Sequence, residues 1–222
     1  GKFEYIDNCN IVYHKQQEEC EKHEKYYFNR RSSNRKITFR TLCWFPKTTS
    51  GITKLRRIVT GGATGQESIY NGLKAIKEDN GETKDIVIIV HDGNRPMLPQ
   101  DVITDNLVKQ KLFGSAVTVI PTTEVVFVSK DGVASKAALD REELWRTQTP
   151  HSYRFDELWD VHNRAIRDGI TNMAASCSLM QKYGYTTYFS KGSEKNIKIT
   201  TVEDIEIFKA LLSEKNDEWI KK

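Results

Sequence analysis

Five consecutive aliphatic residues, Ile86–Val90, stand in a chain whose charged residues make up 29% of its 222 positions. A strand that is apolar on both sides of its pleat has to be covered on both faces, as in the interior of a parallel sheet sandwiched between helices. The run ends abruptly in His91, Asp92 and Arg95, closed by Pro96. In open α/β sheets the carboxyl ends of such strands face the ligand crevice.

The flanking sequence extends this pattern. "LRRIVT" at 55–60 reads as a strand, broken at Gly61-Gly62, and from Gly65 the spacing of Ile69, Leu73 and Ile76 predicts a helix that Gly81 ends. A helix over Asp101–Lys111 would turn Val102, Ile103 and Leu107 inward, and Ala116–Ile120 repeats the buried-strand signature up to Pro121. Val125–Val128, the turn Lys130-Asp131-Gly132 and the residues from Val133 onward read as a hairpin. Helices are predicted over Asp156–Arg167 and Ala174–Tyr183, and strands over Thr186–Ser190 and Ile197–Thr200. Thr201 with Asp204 then caps a last helix that turns Ile205, Phe208, Leu211 and Leu212 to the core. Near the start, Asn10–Tyr13 reads as a strand and Lys15–Lys25 as a polar helix. Strand–helix alternation of this kind predicts one α/β domain over 1–222, with a doubly wound, mostly parallel sheet and a protruding β-hairpin arm.

Composition narrows the function classes. A net charge of +4 suits a phosphorylated small ligand better than a nucleic acid. The basic residues Arg30, Arg31, Arg35, Lys36 and Arg40 could form an RNA-binding strip or a solvated insertion, and sparse aromatics favour the insertion. No apolar run approaches the roughly 20 residues a bilayer span needs, and "GKFEYIDNCN" carries no signal-peptide core, so a soluble, cytoplasmic chain is expected. Cys9, Cys20, Cys43 and Cys177 form no CxxC pair and have no metal-ligand spacing, which suggests reduced structural thiols and no protein-held metal.

Four short stretches carry the chemistry. At the end of the apolar strand, Asp92 could hold a metal–phosphate complex or a substrate hydroxyl and Arg95 could clamp a phosphate. Alternatively, the two pair with each other and brace the loop. "GGATGQES" at 61–68 lies between strand and helix, where Gly61, Gly62 and the Ser68 hydroxyl could cradle an anion or a nucleobase. "DREELWRTQTP" at 140–150 sets Arg141 near Trp145, Thr147 and Thr149. In "NIKIT" at 196–200, Lys198 sits between apolar neighbours, either aimed at something acidic or exposed on a strand.

In order, "GGATGQES", "VHDGNRP", "DREELWRTQTP" and "GSEKNIKITTVEDI" resemble the methylerythritol-phosphate cytidylyltransferase family, whose relatives include ribitol-5-phosphate cytidylyltransferases; "YIDNCNIVYHK" at 4–14 also looks like a family segment. The resemblance covers nearly all of 57–213 and implies a Rossmann-like nucleotidyltransferase. Such an enzyme moves CMP from CTP to a polyol phosphate, by default 2-C-methyl-D-erythritol 4-phosphate in isoprenoid biosynthesis and alternatively ribitol 5-phosphate, and uses Mg2+. It implies catalytic roles for Lys198, Arg95 and Asp92, acceptor contacts from these together with Thr149 and Arg141, and nucleotide contacts from Gly61, Gly62 and Ser68. It further implies a homodimer clasped through the 121–147 arm, with Arg141 reaching the neighbour's site, while His91 reads as a structural loop residue.

The sequence also departs from the family pattern. The family's opening Gly-rich loop and Pro-Lys pair have no counterpart ahead of 4–14, and Pro46-Lys47 follows that segment, so an omitted N-terminal portion is expected. Gly93-Asn94, Val125, Gly65 and Asn172-Met173 replace small apolar residues, a threonine, an arginine and an acidic pair. A non-catalytic nucleotide-binding relative is the competing reading. A nucleotide-sugar glycosyltransferase would want an Asp-x-Asp pair after a strand, and none is found.

Overall fold

The computed structural model describes residues 10–16, 25–30 and 55–220. Its strands are β1 (Asn10–Gln16), β2 (Lys25–Arg30), β3 (Leu55–Thr60), β4 (Ile86–Asp92), β5 (Ser115–Pro121), β6 (Val126–Val128), β7 (Ala137–Leu139), β8 (Trp145–Arg154) and β9 (Phe189–Lys191). The helices are α1 (Gly65–Asn80), α2 (Gln100–Phe113), α3 (Phe155–Arg167), α4 (Ser176–Lys182) and α5 (Val202–Ile220). Seven strands form one sheet in the order β3-β2-β1-β4-β8-β5-β9. The pairings make β2, β3, β4, β5 and β9 run one way and β1 and β8 the other, so five of seven share a direction.

Ile86, Ile88 and Val90 of β4 join the main core with Leu73 and Ile76 of α1 and Phe155, Leu158 and Val161 of α3. Val87 and Ile89, one residue out of phase, are buried on the opposite face. The period of two along a strand thus distributes one aliphatic run between two helical layers. Burying such a side chain contributes roughly 1.5–3 kcal/mol. Helix α1 is set by its ends: Thr64 accepts the Glu67 N–H at 3.1 Å, and Gly81 ends it at φ 68°.

The back layer is more polar than the sequence suggests. Helix α2 buries Val102, Asn106 and Gln110, at i, i+4 and i+8, while Ile103 and Leu107 are only half-buried. The Asn106 amide donates to Ser190 Oγ at 2.8 Å and to the Pro150 carbonyl at 3.2 Å, and Ser152 donates to its oxygen. Strand β8, which the sequence reading did not identify, lies antiparallel between β4 and β5. Its buried positions include Gln148, Thr149, His151 and Ser152, so no apolar alternation marks it.

Several expectations shift. Ile197–Thr200 forms no strand; instead Ile199 N–H bonds the Asn94 carbonyl at 2.8 Å and Asn94 Nδ2 bonds the Ile199 carbonyl at 2.9 Å. The last sheet strand begins at Phe189 rather than Thr186. In α5, Ile205, Phe208 and Leu211 are half-buried and Leu212 is 39% exposed, because the helix lies along the surface. Its cap forms as expected, with Asp204 accepting the Thr200 and Thr201 amides at 2.7 and 2.8 Å. Strands β6 and β7 pair as a separate two-stranded sheet whose residues are all exposed. Lys15 and Gln16 close β1 rather than open a helix. Residues 17–24, the basic positions 31–40, Pro46-Lys47, Cys9, Cys20 and Cys43 lie outside the described residues. Cys177 is free and buried. Among the described residues, no helix is long and apolar enough to cross a membrane.

Gly192, just past β9, is fixed by close approach: a Cβ there would lie 2.6 Å from the Val119 carbonyl oxygen and 2.7 Å from Ile120 Cγ2. Gly192→Ala is expected to destabilise the fold by about 1–3 kcal/mol, since backbone must move to admit the methyl, and urea unfolding of the two proteins measures the difference.

Candidate active site

Asp92 closes β4 at the carboxyl edge of the sheet, and two cations converge on it. Arg95 Nε lies 3.2 Å and Lys198 Nζ 3.1 Å from the same oxygen, Asp92 Oδ2. The side chains of Asp92, Arg95 and Lys198 are 13%, 11% and 31% exposed, so the cluster is largely withdrawn from water with the lysine outermost. Burial by itself would raise the Asp92 carboxyl, but Lys198 and then Arg95 outweigh it and hold the group below the usual carboxylate range. Two positive charges against one leave the cluster cationic. Asp92 and Arg95 pair with each other, as the bracing reading expects, and both also line a cavity.

Hydrogen bonds fix these groups in place. Arg95 Nη1 donates to the Asn196 carbonyl at 2.7 Å, and Asn196 Nδ2 donates to the Thr149 carbonyl at 2.8 Å. Asp92 N–H donates to Thr149 Oγ1 at 2.9 Å. His91 Nε2 faces the Arg95 carbonyl at 3.1 Å; a carbonyl can only accept, so the proton is assigned to Nε2. Nδ1 then accepts from the Thr149 hydroxyl at 3.1 Å. Burial pushes His91 below its ordinary value, in keeping with a neutral structural imidazole. The Thr149–Pro150 peptide is cis.

The cavity, about 200 Å³, is lined by Asp92, Arg95, Thr149 and Lys198 together with Gly65, Ser68 and His162. Ser68 lines it, but its hydroxyl already holds the preceding turn, donating to the Thr64 carbonyl at 2.9 Å and accepting Gly62 N–H at 3.0 Å. Ala63 N–H is taken by Glu67 Oε2 at 2.6 Å, and a Cβ on Gly62 would collide with the Glu67 side chain. The turn at Gly61-Gly62 is thus closed in the manner of a capping box, and the Gly62 and Ala63 amides are not presented to an anion. The turn is tied to the segment after α3 by Thr64 Oγ1 to the Thr171 carbonyl at 2.8 Å and by Gln66 Nε2 to the Ile170 carbonyl at 2.7 Å. Arg141 lies elsewhere, exposed at the foot of the β6–β7 hairpin, where it donates to the Thr123 carbonyl at 3.4 Å.

Gln66, His151, His162 and Ser176 also line the cavity and were not singled out from sequence. His151 is held between Ser176 Oγ at 2.8 Å and Thr147 Oγ1 at 3.1 Å, and burial lowers it to about 4. Only its place two residues after Thr149, at the edge of one motif, could have flagged it.

Comparison with known proteins places this geometry. Residues 46–214 match the family model described as "IspD: 2-C-methyl-D-erythritol 4-phosphate cytidylyltransferase". A "Ribitol-5-phosphate cytidylyltransferase" of Lacticaseibacillus paracasei is 36% identical over 167 residues, covering 74% of this chain and 70% of that protein. A "2-C-methyl-D-erythritol 4-phosphate cytidylyltransferase" of Clostridium novyi is 34% identical over 159 residues, covering 72% and 66%. The crystal structure of 2-C-methyl-D-erythritol 4-phosphate cytidylyltransferase from Thermus thermophilus superposes with a TM-score of 0.62 at 26% identity, covering 75% and 78%.

A depressed carboxyl contributes stability that is complete above its unfolded value near pH 4 and is lost as pH falls through its folded value. Asp92→Asn is expected to remove part of the loss of stability below about pH 4. At neutral pH it costs about 3 kcal/mol, because two cations are left without their partner. Denaturant unfolding of both proteins between pH 2 and 7 measures this, and parallel pH curves would contradict it.

Proposed function

This chain belongs to the IspD cytidylyltransferase family, and from that premise we propose that it transfers CMP from CTP to a polyol phosphate. A phosphate oxygen of the acceptor forms a bond to the α-phosphorus of CTP, the bond to the bridging oxygen breaks, and pyrophosphate leaves. The observation that carries the reading is the convergence of Arg95 and Lys198 on Asp92 in the lining of the cavity. Such a reaction brings together phosphates that repel, and charge builds on the equatorial oxygens and the leaving group. Pre-placed cations in a partly dry site stabilise that charge without reorganising.

In this reading Lys198, outermost of the three, meets the reacting phosphates. Asp92 accepts from acceptor hydroxyls, and Arg95 with Thr149 keeps the acceptor side in register. Gly61, Gly62 and Ser68 frame the nucleotide side, where a neutral base suits the closed turn better than an anion. Asp92 is already engaged by two cations, and magnesium is proposed to arrive with the substrate, on the triphosphate as MgCTP.

Ribitol 5-phosphate is the acceptor proposed first, on the printed activity of the 36%-identical relative. Methylerythritol 4-phosphate is the second reading, favoured by the family description and the Clostridium relative. The β6–β7 hairpin presents Val126, Phe127, Val128 and Leu139 to solvent, Phe127 at 67%. An exposed apolar ribbon of this kind supports the proposal of a clasped homodimer in which Arg141 serves the neighbouring site.

With CTP, magnesium and one of the two acceptors, pyrophosphate release is expected. CTP binding without release for either acceptor would favour a non-catalytic relative. Lys198→Ala and Arg95→Ala are each expected to lower kcat/KM by about 10²-fold, the usual effect of removing one charge-stabilising donor. Phe127→Asp is expected to shift the species seen by light scattering from dimer to monomer; an unchanged mass rejects the clasp.

A further inference from the structure

Lys198 is the least supported charged side chain of the cavity. Among the described residues its ammonium meets one partner, Asp92 Oδ2 at 3.1 Å, whereas the Arg95 guanidinium also reaches the Asn196 carbonyl at 2.7 Å. The backbone that carries it, residues 192–200, is neither helix nor strand, so no regular ladder of hydrogen bonds sets its position. On an unfixed segment a lysine side chain keeps its rotamer freedom, and its charge is spread over many places.

Amide side chains fix the segment instead. Gln148 of β8 meets Ser193 as a neighbouring strand would, donating to its carbonyl at 2.9 Å and accepting its N–H at 3.2 Å. Asn196 is 0% exposed, and its Nδ2 donates to the Thr149 carbonyl at 2.8 Å and to Gln148 Oε1 at 3.3 Å. Its own N–H bonds the Ser193 carbonyl at 3.0 Å, and its carbonyl accepts from Arg95. On the far side of Lys198, Ile199 is bonded through both its backbone groups to Asn94, at 2.8 and 2.9 Å. The lysine backbone is thus held from both sides. An amide suits position 196, because its two N–H groups meet two acceptors where a carboxylate would offer only oxygens. Fully enclosed, the Asn196 side chain reaches no substrate and acts only through its neighbours.

We propose that Asn196 is a positioning residue, which sets Lys198 against the reacting phosphates by tying its backbone to Gln148 and Thr149 of β8. What Lys198 does there rests on the cytidylyltransferase reading; where Lys198 is placed, on Asp92, does not.

The test compares wild type with Asn196→Ala, each also combined with Lys198→Ala, as full chains whose folding is checked by urea unfolding. The first quantity read is the titration midpoint of the Asp92 carboxyl by carbon NMR, its signal assigned by its absence from Asp92→Asn. Burial raises this carboxyl, while Lys198 and then Arg95 lower it; His91 and His151 are the other titratable groups nearby, both kept neutral by burial. Loosening Lys198 is expected to move the midpoint up in Asn196→Ala, and to leave it in place when Lys198→Ala is already present. A midpoint that stays in the first case, or moves equally in both, overturns the proposal. The second quantity is kcat for pyrophosphate release. Asn196→Ala is expected to lower it about tenfold, because small misplacements of a charge-stabilising group are costly, and by about twofold or less on top of Lys198→Ala. Equal losses in both backgrounds mark a merely structural role and overturn the proposal. Should Asn196→Ala fail to fold, Asn196→Ser keeps one donor and is read in the same way. A wild type that releases no pyrophosphate with either acceptor overturns the cytidylyltransferase reading, while the Asp92 midpoint still decides whether Asn196 places Lys198.

Discussion

The carboxylate of Asp92 holds together parts of the chain that are distant in sequence. A guanidinium and an ammonium meet on one of its oxygens, one from the loop just after β4 and one from the segment just before α5. Without that carboxylate the two cations would face each other across a few ångströms in a partly dehydrated crevice, where their repulsion is poorly screened. The Asn94–Ile199 bonds and the Arg95–Asn196 bond run between the same two segments, so charge and backbone pairing hold the same junction. Groups held in this way are already in place for the charge stabilisation that the proposed reaction would call on.

The front layer of the sheet was legible because its signal is hydrophobic period. The aliphatic run of β4, the one-faced helix α1 and the strand β5 all buried the residues their spacing named, including Ile69, Leu73 and Ile76. The capped start of α5 was legible from local chemistry. Strand β8 was not, because four of its six buried residues are Gln148, Thr149, His151 and Ser152, each bonded to a distant partner. A polar residue is admitted to a core by the group it meets, and that group is 25 to 57 residues away for His151, Ser152 and Thr149. No short window of sequence contains both. The same reason hid His162 and Gln66, while Asp92, Arg95, Thr149 and Lys198, which line the same cavity, were singled out because ordered motifs stood in for the missing contacts.

The polar back layer changes how the site is supported. Asn106 of α2 reaches the Pro150 carbonyl and Ser190, while the Ser152 hydroxyl reaches Asn106, so one amide joins a helix to two strands. Pro150 adjoins Thr149, which touches both Asp92 and His91. The Asp92–Thr149 side of the cavity is therefore backed by a bonded node that includes α2. Such a node is costly to disrupt, because each partner left behind is buried.

The antiparallel placement of β8 has a consequence for biogenesis. On a ribosome, β4 and β5 emerge well before residues 145–154, and in the finished sheet they never pair with each other; each pairs with β8. Until that strand arrives, two of the most aliphatic segments of the chain have open edges, and an open apolar edge readily recruits a strand from another molecule. The pairing of Val87 with Arg154 closes a long loop of chain, which makes this a slow step. The polar character of β8, which obscured it in the sequence, then has a protective side. The last strand to enter the centre is also one that water solvates well while it waits.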